Sequence, residues 1–289
     1  MFRSRFPRIG LSAKKNFTRS FSQSHKVPPL RHDFTQGIKE FIGPAAFELS
    51  WTTYQKLMVD KLSQATAGKA HLEGRRPKEI AIMCARDPEH AATFNYASMA
   101  FNNDFFFNGI QPEPTNDPVI PQKLRAAIEA SFSSVDSLKK EFVLTASSMF
   151  GPGFVWLMKD RLDQLSILST YLAGSPFPGA HYRRQAKDMN TESNNLTNYF
   201  RQKLTEPPAN SVGAFGPMSK DKKAPGGIEL TPILCVNTWE HVWIADYGMG
   251  ADDIGGKKVY VENWWNVIDW KVVAELAALS GGPASRYES

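Results

Sequence analysis

The sequence predicts an α+β fold, with an N-terminal helical hairpin followed by an α/β domain built on a three-stranded antiparallel sheet. Three observations carry this. Apolar residues of the first third recur at helical spacing, a proline-rich segment from Gln111 to Pro121 separates two halves, and beyond Gly151 the pattern changes to short apolar runs of strand length. The chain has 289 residues, 42% apolar and 12% aromatic, enough to bury a core in one or two domains.

Taken in order, residues 22–34 read as an extended lead-in, because Pro28 and Pro29 bar helix there. From Thr35 to about Ala67 the chain reads as helix. Phe34, Ile38, Phe41 and Ile42 lie at helical offsets, Gly43-Pro44 interrupts, and Phe47, Trp51, Tyr54, Leu57, Met58 and Leu62 continue the face. A turn spans Gly68 to Pro77. Asp87 and Pro88 then suit the cap and first position of a second helix reaching about Asn108, which closes the hairpin. These elements make a first domain over residues 22–120 and leave 121–279 for the second.

The second domain opens with helices over 122–133 and 135–149, the latter capped by Ser134 or Asp136. Strands follow at Phe154 to Met158, Leu165 to Leu172 and Ile233 to Val236, the first two joined by a turn around Asp160 and Asp163. The Trp-rich stretch from Val259 to Leu279 reads as one closing helix. Residues 177–232 exceed the usual ceiling of ~12 to 15 residues for a structureless loop, so they are expected to be an insertion, either a partner-binding arm or a solvated loop. Residues 280–289 are expected to be a flexible tail.

Charge is unevenly placed. Arg3, Arg5, Arg8, Lys14, Lys15 and Arg19 fall in the first 21 residues, and the first acid of the chain is Asp33. Phe2, Phe6 and Ile9 would line one face of a helix among these arginines, the composition of a mitochondrial transit peptide over residues 1–21. Arg19-Ser20-Phe21-Ser22 fits a matrix-processing pattern, with cleavage after Phe21. A basic tail that binds nucleic acid is the competing reading. Removing those six cations takes the net charge of +5 to −1, so the pI near 9.1 reports an address more than a polyanionic partner. Within 177–232, eight Lys and Arg face five Asp and Glu, a local excess of +3.

No run approaches the ~20 apolar residues of a membrane-spanning helix, and the mean hydropathy of −0.35 agrees. Cys84 and Cys235 have no paired spacing, which excludes a disulfide framework or a Cys-rich zinc site.

The most specific segments are NTWEHVWIADY at 237–247 and ENWWNVIDWKVVAEL at 262–276. Together they resemble the C-terminal signature of iron and manganese superoxide dismutases. Val27 to Leu30, Phe94 to Asn108, Phe150 to Leu157 and Leu165 to Pro176 resemble further pieces of that family in the correct order, so the resemblance covers 27–176 and 232–279. It implies the dismutase fold and a redox metal held by three imidazoles and one carboxylate. Those four positions fall at Ala46, Asn103, Asn237 and His241. Only His241 keeps a ligating side chain.

Alanine has no donor atom, and a neutral carboxamide is a poor substitute for imidazole or carboxylate on such a metal. No histidine lies between His32 and His71 to repair the first position, and His90, 13 residues before Asn103, reads as a solvent-facing helix residue. Asp104 is the one candidate for a rebuilt site. No cofactor and no catalytic residue are therefore expected. Tyr54, matching the family's gateway tyrosine, reads as packing, and Trp156, Trp239, Trp264, Trp265 and Trp270 as core anchors.

The resemblance gives Glu240 and His241 a place at a dimer interface, where the glutamate reaches the ligand histidine of a second subunit. The competing reading makes them satisfied core polar groups. The family's second cross-subunit pair falls at Ser50 and Ile244 and is lost, which suggests pairing with a related chain rather than with itself. A mitochondrial dismutase-like chain without a metal centre resembles the paired dismutase-like proteins of the fungal mitochondrial small ribosomal subunit. That resemblance implies a structural role in translation in the matrix, with ribosomal proteins and a paralogous chain as partners. RNA contact is then expected through the basic insertion or the loop around Arg75, Arg76 and Lys78. A free-standing matrix interaction protein and an active dismutase are the alternatives.

Overall fold

The computed structural model describes residues 25–85, 87–181, 229–250 and 254–279. The expected transit peptide, the interior of the insertion and the expected tail lie outside these residues.

The lead-in is tied down where the His25 backbone N–H donates to Ser63 Oγ (2.9 Å) and Arg31 pairs with Glu275 (3.2 Å). The first helix starts later than its apolar spacing predicts. Residues 35–43 form turns closed by the bridge between Ile38 and Ile42, and Gly37 sits at φ +82°, a left-handed backbone that a helix cannot pass through. Helix α1 (Pro44–Phe47) runs through a π-helical segment, Glu48–Thr53, into α2 (Tyr54–Thr66). A short helix absent from the sequence reading, α3 (Pro77–Cys84), begins on Pro77. Asp87 caps the next turn by accepting from the Glu89 N–H (3.0 Å), and after a 3₁₀ turn at Pro88–His90 comes α4 (Ala91–Asn108). Helix α4 is buried nearly all round and packs on α2, α3 and the sheet.

In the second half α5 (Gln122–Phe132) and α6 (Val135–Ser148) fall where predicted, with Ser134 Oγ accepting from the Ser137 N–H (3.0 Å). Strands β1 (Gly153–Lys159), β2 (Leu165–Tyr171) and β3 (Thr231–Asn237) make an antiparallel sheet in the order β2-β1-β3. β1 and β3 are covered on both faces, whereas β2 is largely half-buried or exposed and forms an edge. Trp156 anchors the centre, wholly buried, its Nε1 donating to Thr170 Oγ1 (2.9 Å).

Both ends of the expected insertion belong to the folded body. Phe177 and Ala180 are buried around the short helix α7 (Pro178–His181), and Thr231 and Pro232 are already in β3. After β3 come α8 (Glu240–Tyr247), which the sequence reading missed, α9 (Gly256–Asn266) and α10 (Trp270–Ala277). The single closing helix expected over 259–279 is thus two. The break has a backbone cause: Ile268 bridges Ile110, the Gln111 N–H donates to Val267 O (2.8 Å) and the Asp269 N–H to Gly109 O (2.9 Å). The proline-rich segment between the halves is laced to the second half at this point.

Candidate functional site

The Glu48–Thr53 π-helical segment, α4, the end of β3 and the start of α8 converge on the positions singled out in sequence. Asn103 and Asn237 are wholly buried and touch, Asn237 Nδ2 donating to Asn103 Oδ1 (3.3 Å). Asn103 Nδ2 donates to Ser50 O (3.0 Å) and to Gln55 Oε1 (3.1 Å). Gln55 Nε2 donates to Ala100 O (2.8 Å), and Asn237 Oδ1 accepts from the Trp239 N–H (3.0 Å). Three carboxamides thus form a closed neutral chain pinned to the backbone at both ends. Such a network meets the requirement that buried polar groups find partners. Ala46 is buried and presents only a methyl group, and its carbonyl accepts from Ser50 Oγ (2.6 Å).

His241 stands beside this network rather than in it. Its ring stacks on Tyr54 with centroids 4.2 Å apart, and its Nε2 is shut off from solvent without a hydrogen-bond partner. Burial pulls the imidazole pKa down to about 4, so it is neutral at pH 7, and pushes the Tyr54 phenol up to about 12. Glu240 is half-buried in the first turn of α8; burial lowers the pKa of nearby Lys257, and the charge of Glu240 opposes that shift only in part.

The other singled-out residues have local duties. Asp104 accepts from Asn108 Nδ2 (2.8 Å). His90 is half-buried at the end of the 3₁₀ turn, its Nδ1 lying 2.8 Å from Asp87 Oδ2 in an exposed contact. Ser50 is wholly buried and Ile244 exposed. Trp156, Trp264, Trp265 and Trp270 lie in the core, while Trp239 is half-buried. Gln55 is the participant that sequence reasoning missed. Its signal was an amide on the stripe shared with Trp51, Met58, Val59 and Leu62.

An iron or manganese ion does not fit the residues present. Asn103 and Asn237 spend their polar atoms on each other, Gln55 and the backbone, Ala46 offers no donor, and one imidazole is left. Among the described residues no group of three or more His, Cys, Asp or Glu is placed to hold a metal. Nor, among them, is any helix long and apolar enough to cross a membrane.

The order of helices, the three-stranded sheet and the Trp-Glu-His segment that opens α8 define the class, and the chain belongs to the iron/manganese superoxide dismutase family. The model of that family's C-terminal domain matches residues 120–183 and 212–276, so the residues it skips lie within the expected insertion. The chain is 32% identical to small ribosomal subunit protein mS42 of Schizosaccharomyces pombe over 204 residues, 69% of this chain and 72% of the relative. It is 27% identical to small ribosomal subunit protein mS43 of the same organism over 257 residues, 87% of this chain and 83% of the relative. Superoxide dismutase [Fe] of Escherichia coli is 26% identical over 237 residues, 82% of this chain and 90% of the enzyme.

Proposed function

We propose that this protein is a non-catalytic structural constituent of the small subunit of the mitochondrial ribosome. The observation that carries the reading is the carboxamide chain Gln55–Asn103–Asn237, which occupies two of the four ligand positions with groups that satisfy one another. The similarity to mS42 and mS43 supports the ribosomal assignment, and the acid-free basic N-terminus supports import into the matrix with removal of residues 1–21. The body is then the hairpin domain of 22–120 and the α/β domain of 121–279, carrying the insertion and the tail.

The natural partners on this reading are other small-subunit proteins, above all a related dismutase-like chain joined through Glu240 and His241. Loss of the pair at Ser50 and Ile244 favours such an unlike partner. RNA contact falls to the basic insertion or to the loop around Arg75, Arg76 and Lys78.

Gradient sedimentation of mitochondrial lysate tests the assignment. The chain should migrate with the small ribosomal subunit and leave it when the subunit is dissociated. Recovery in light fractions alone would refute a ribosomal role and favour a free-standing matrix protein.

A further inference from the structure

Between the lead-in, α2, the start of α3 and α4 lies a cavity of about 310 Å³ that the carboxamide network does not use, although Gln55 and Ala100 border both. Its inner surface is apolar, made by Pro28, Val59, Ala100, Phe101 and Pro77. Its rim is cationic. Lys26 comes from the lead-in, Arg75 and Arg76 from the turn into α3 and Lys78 from its first turn; Asp104 is the one carboxylate in the lining, and Glu79 nearby pairs with Arg75 (3.6 Å). The rim is held in place: His25 is bound through its backbone to Ser63 and lies with Nε2 3.3 Å from Thr66 Oγ1, and Arg75 Nε donates to His71 O (2.7 Å). Lys78 Nζ sits 5.2 Å from the centre of the Phe177 ring, so this wall continues into the segment where the insertion begins.

An apolar recess of this size under four cations from two chain segments is unsuited to a duplex, whose bases are stacked inside. It suits a single base turned out of a strand whose neighbouring phosphates reach the rim. We propose that the cavity seats one unpaired nucleotide of an RNA strand, its base against Val59 and Phe101 and its flanking phosphates on Lys26, Arg76 and Lys78. The inference rests on the ribosomal reading and names a place on the body where RNA is held, apart from the insertion.

Fluorescence anisotropy of the full chain with a labelled short single-stranded RNA, its duplex and an abasic strand of equal length provides the test. The single strand should bind at least about tenfold tighter than either of the others, and joint Arg76→Glu and Lys78→Glu replacement should remove about tenfold or more of that affinity. Equal affinity for strand, duplex and abasic strand overturns the proposal without recourse to any variant, as does unchanged binding by the charge-reversed chain. Tight binding of uridine monophosphate alone, with no gain from a strand, overturns it in favour of a free nucleotide site. Co-sedimentation with the small subunit in the absence of any strand preference would remove this inference and leave the ribosomal assignment standing, whereas recovery in light fractions would remove the assignment itself.

Discussion

Asn103 is the middle link of the buried network, and its replacement exposes how much the network holds. Asn103→Ala would strand Gln55 Oε1, Ser50 O and Asn237 Nδ2 in the interior. Unpartnered buried groups cost about 1 to 3 kcal/mol each, with partial relief by relaxation, so urea unfolding should report a loss of roughly 2 to 4 kcal/mol. His241 makes a second prediction. Its folded pKa of about 4 lies below the ordinary 6.5, so between those values the unfolded chain takes up a proton that the folded chain refuses. Stability present above pH 6.5 should fall progressively toward pH 4, by on the order of 3 kcal/mol. Unfolding measured at several pH values should show this slope, and His241→Gln should flatten it. At this scale Asn103 and Asn237 were legible because a resemblance named their positions. The bond between them was not, since it joins residues 134 apart that only the packing of α4 on β3 brings together.

Among the elements, α10 depends most plainly on one side chain. Asp269 Oδ1 accepts from the N–H groups of Lys271 (3.1 Å) and Val272 (3.3 Å), so Asp269→Ala should destabilise the protein by about 1 kcal/mol, readable as a lowered Tm. The same region shows why the sequence reading placed a single closing helix there. Apolar spacing runs on through Val267 and Ile268 because both are buried, yet Ile268 is buried as an extended residue against Ile110. Burial and helix leave the same periodic trace over so short a stretch. The strands were readable to within two residues at either end, since their length and flanking turns are local signals. Helix α3 was missed, its eight residues being hidden among the charges of the preceding turn. The start of α1 was misplaced because apolar residues also line the turn of 35–43, where Gly37 and Glu40 both take positive φ.

At the scale of the molecule, a dismutase fold stands on its aromatic core, and among the described residues no three or more His, Cys, Asp or Glu come together to hold a metal. Phe105, Phe154 and Trp156 pack across the sheet, and Phe142, Trp264, Trp265 and Trp270 tie α6, α9 and α10 together, so folding leans on packing around the positions where a metal would sit. What the body offers outward is Glu240 at the head of α8 and the faces around it. If a related chain docks there, Glu240→Ala should weaken co-purification of the two chains by about tenfold or more while leaving the melting of this chain alone nearly unchanged. The claim on which the rest depends is that this scaffold has no redox metal to serve, and elemental analysis of the purified chain, expressed in medium rich in iron and manganese, tests it most directly. A trace of either metal is expected, far below one ion per chain and with no dismutase activity. About one iron or manganese ion per chain, bound tightly enough to survive dialysis against a chelator, would contradict it.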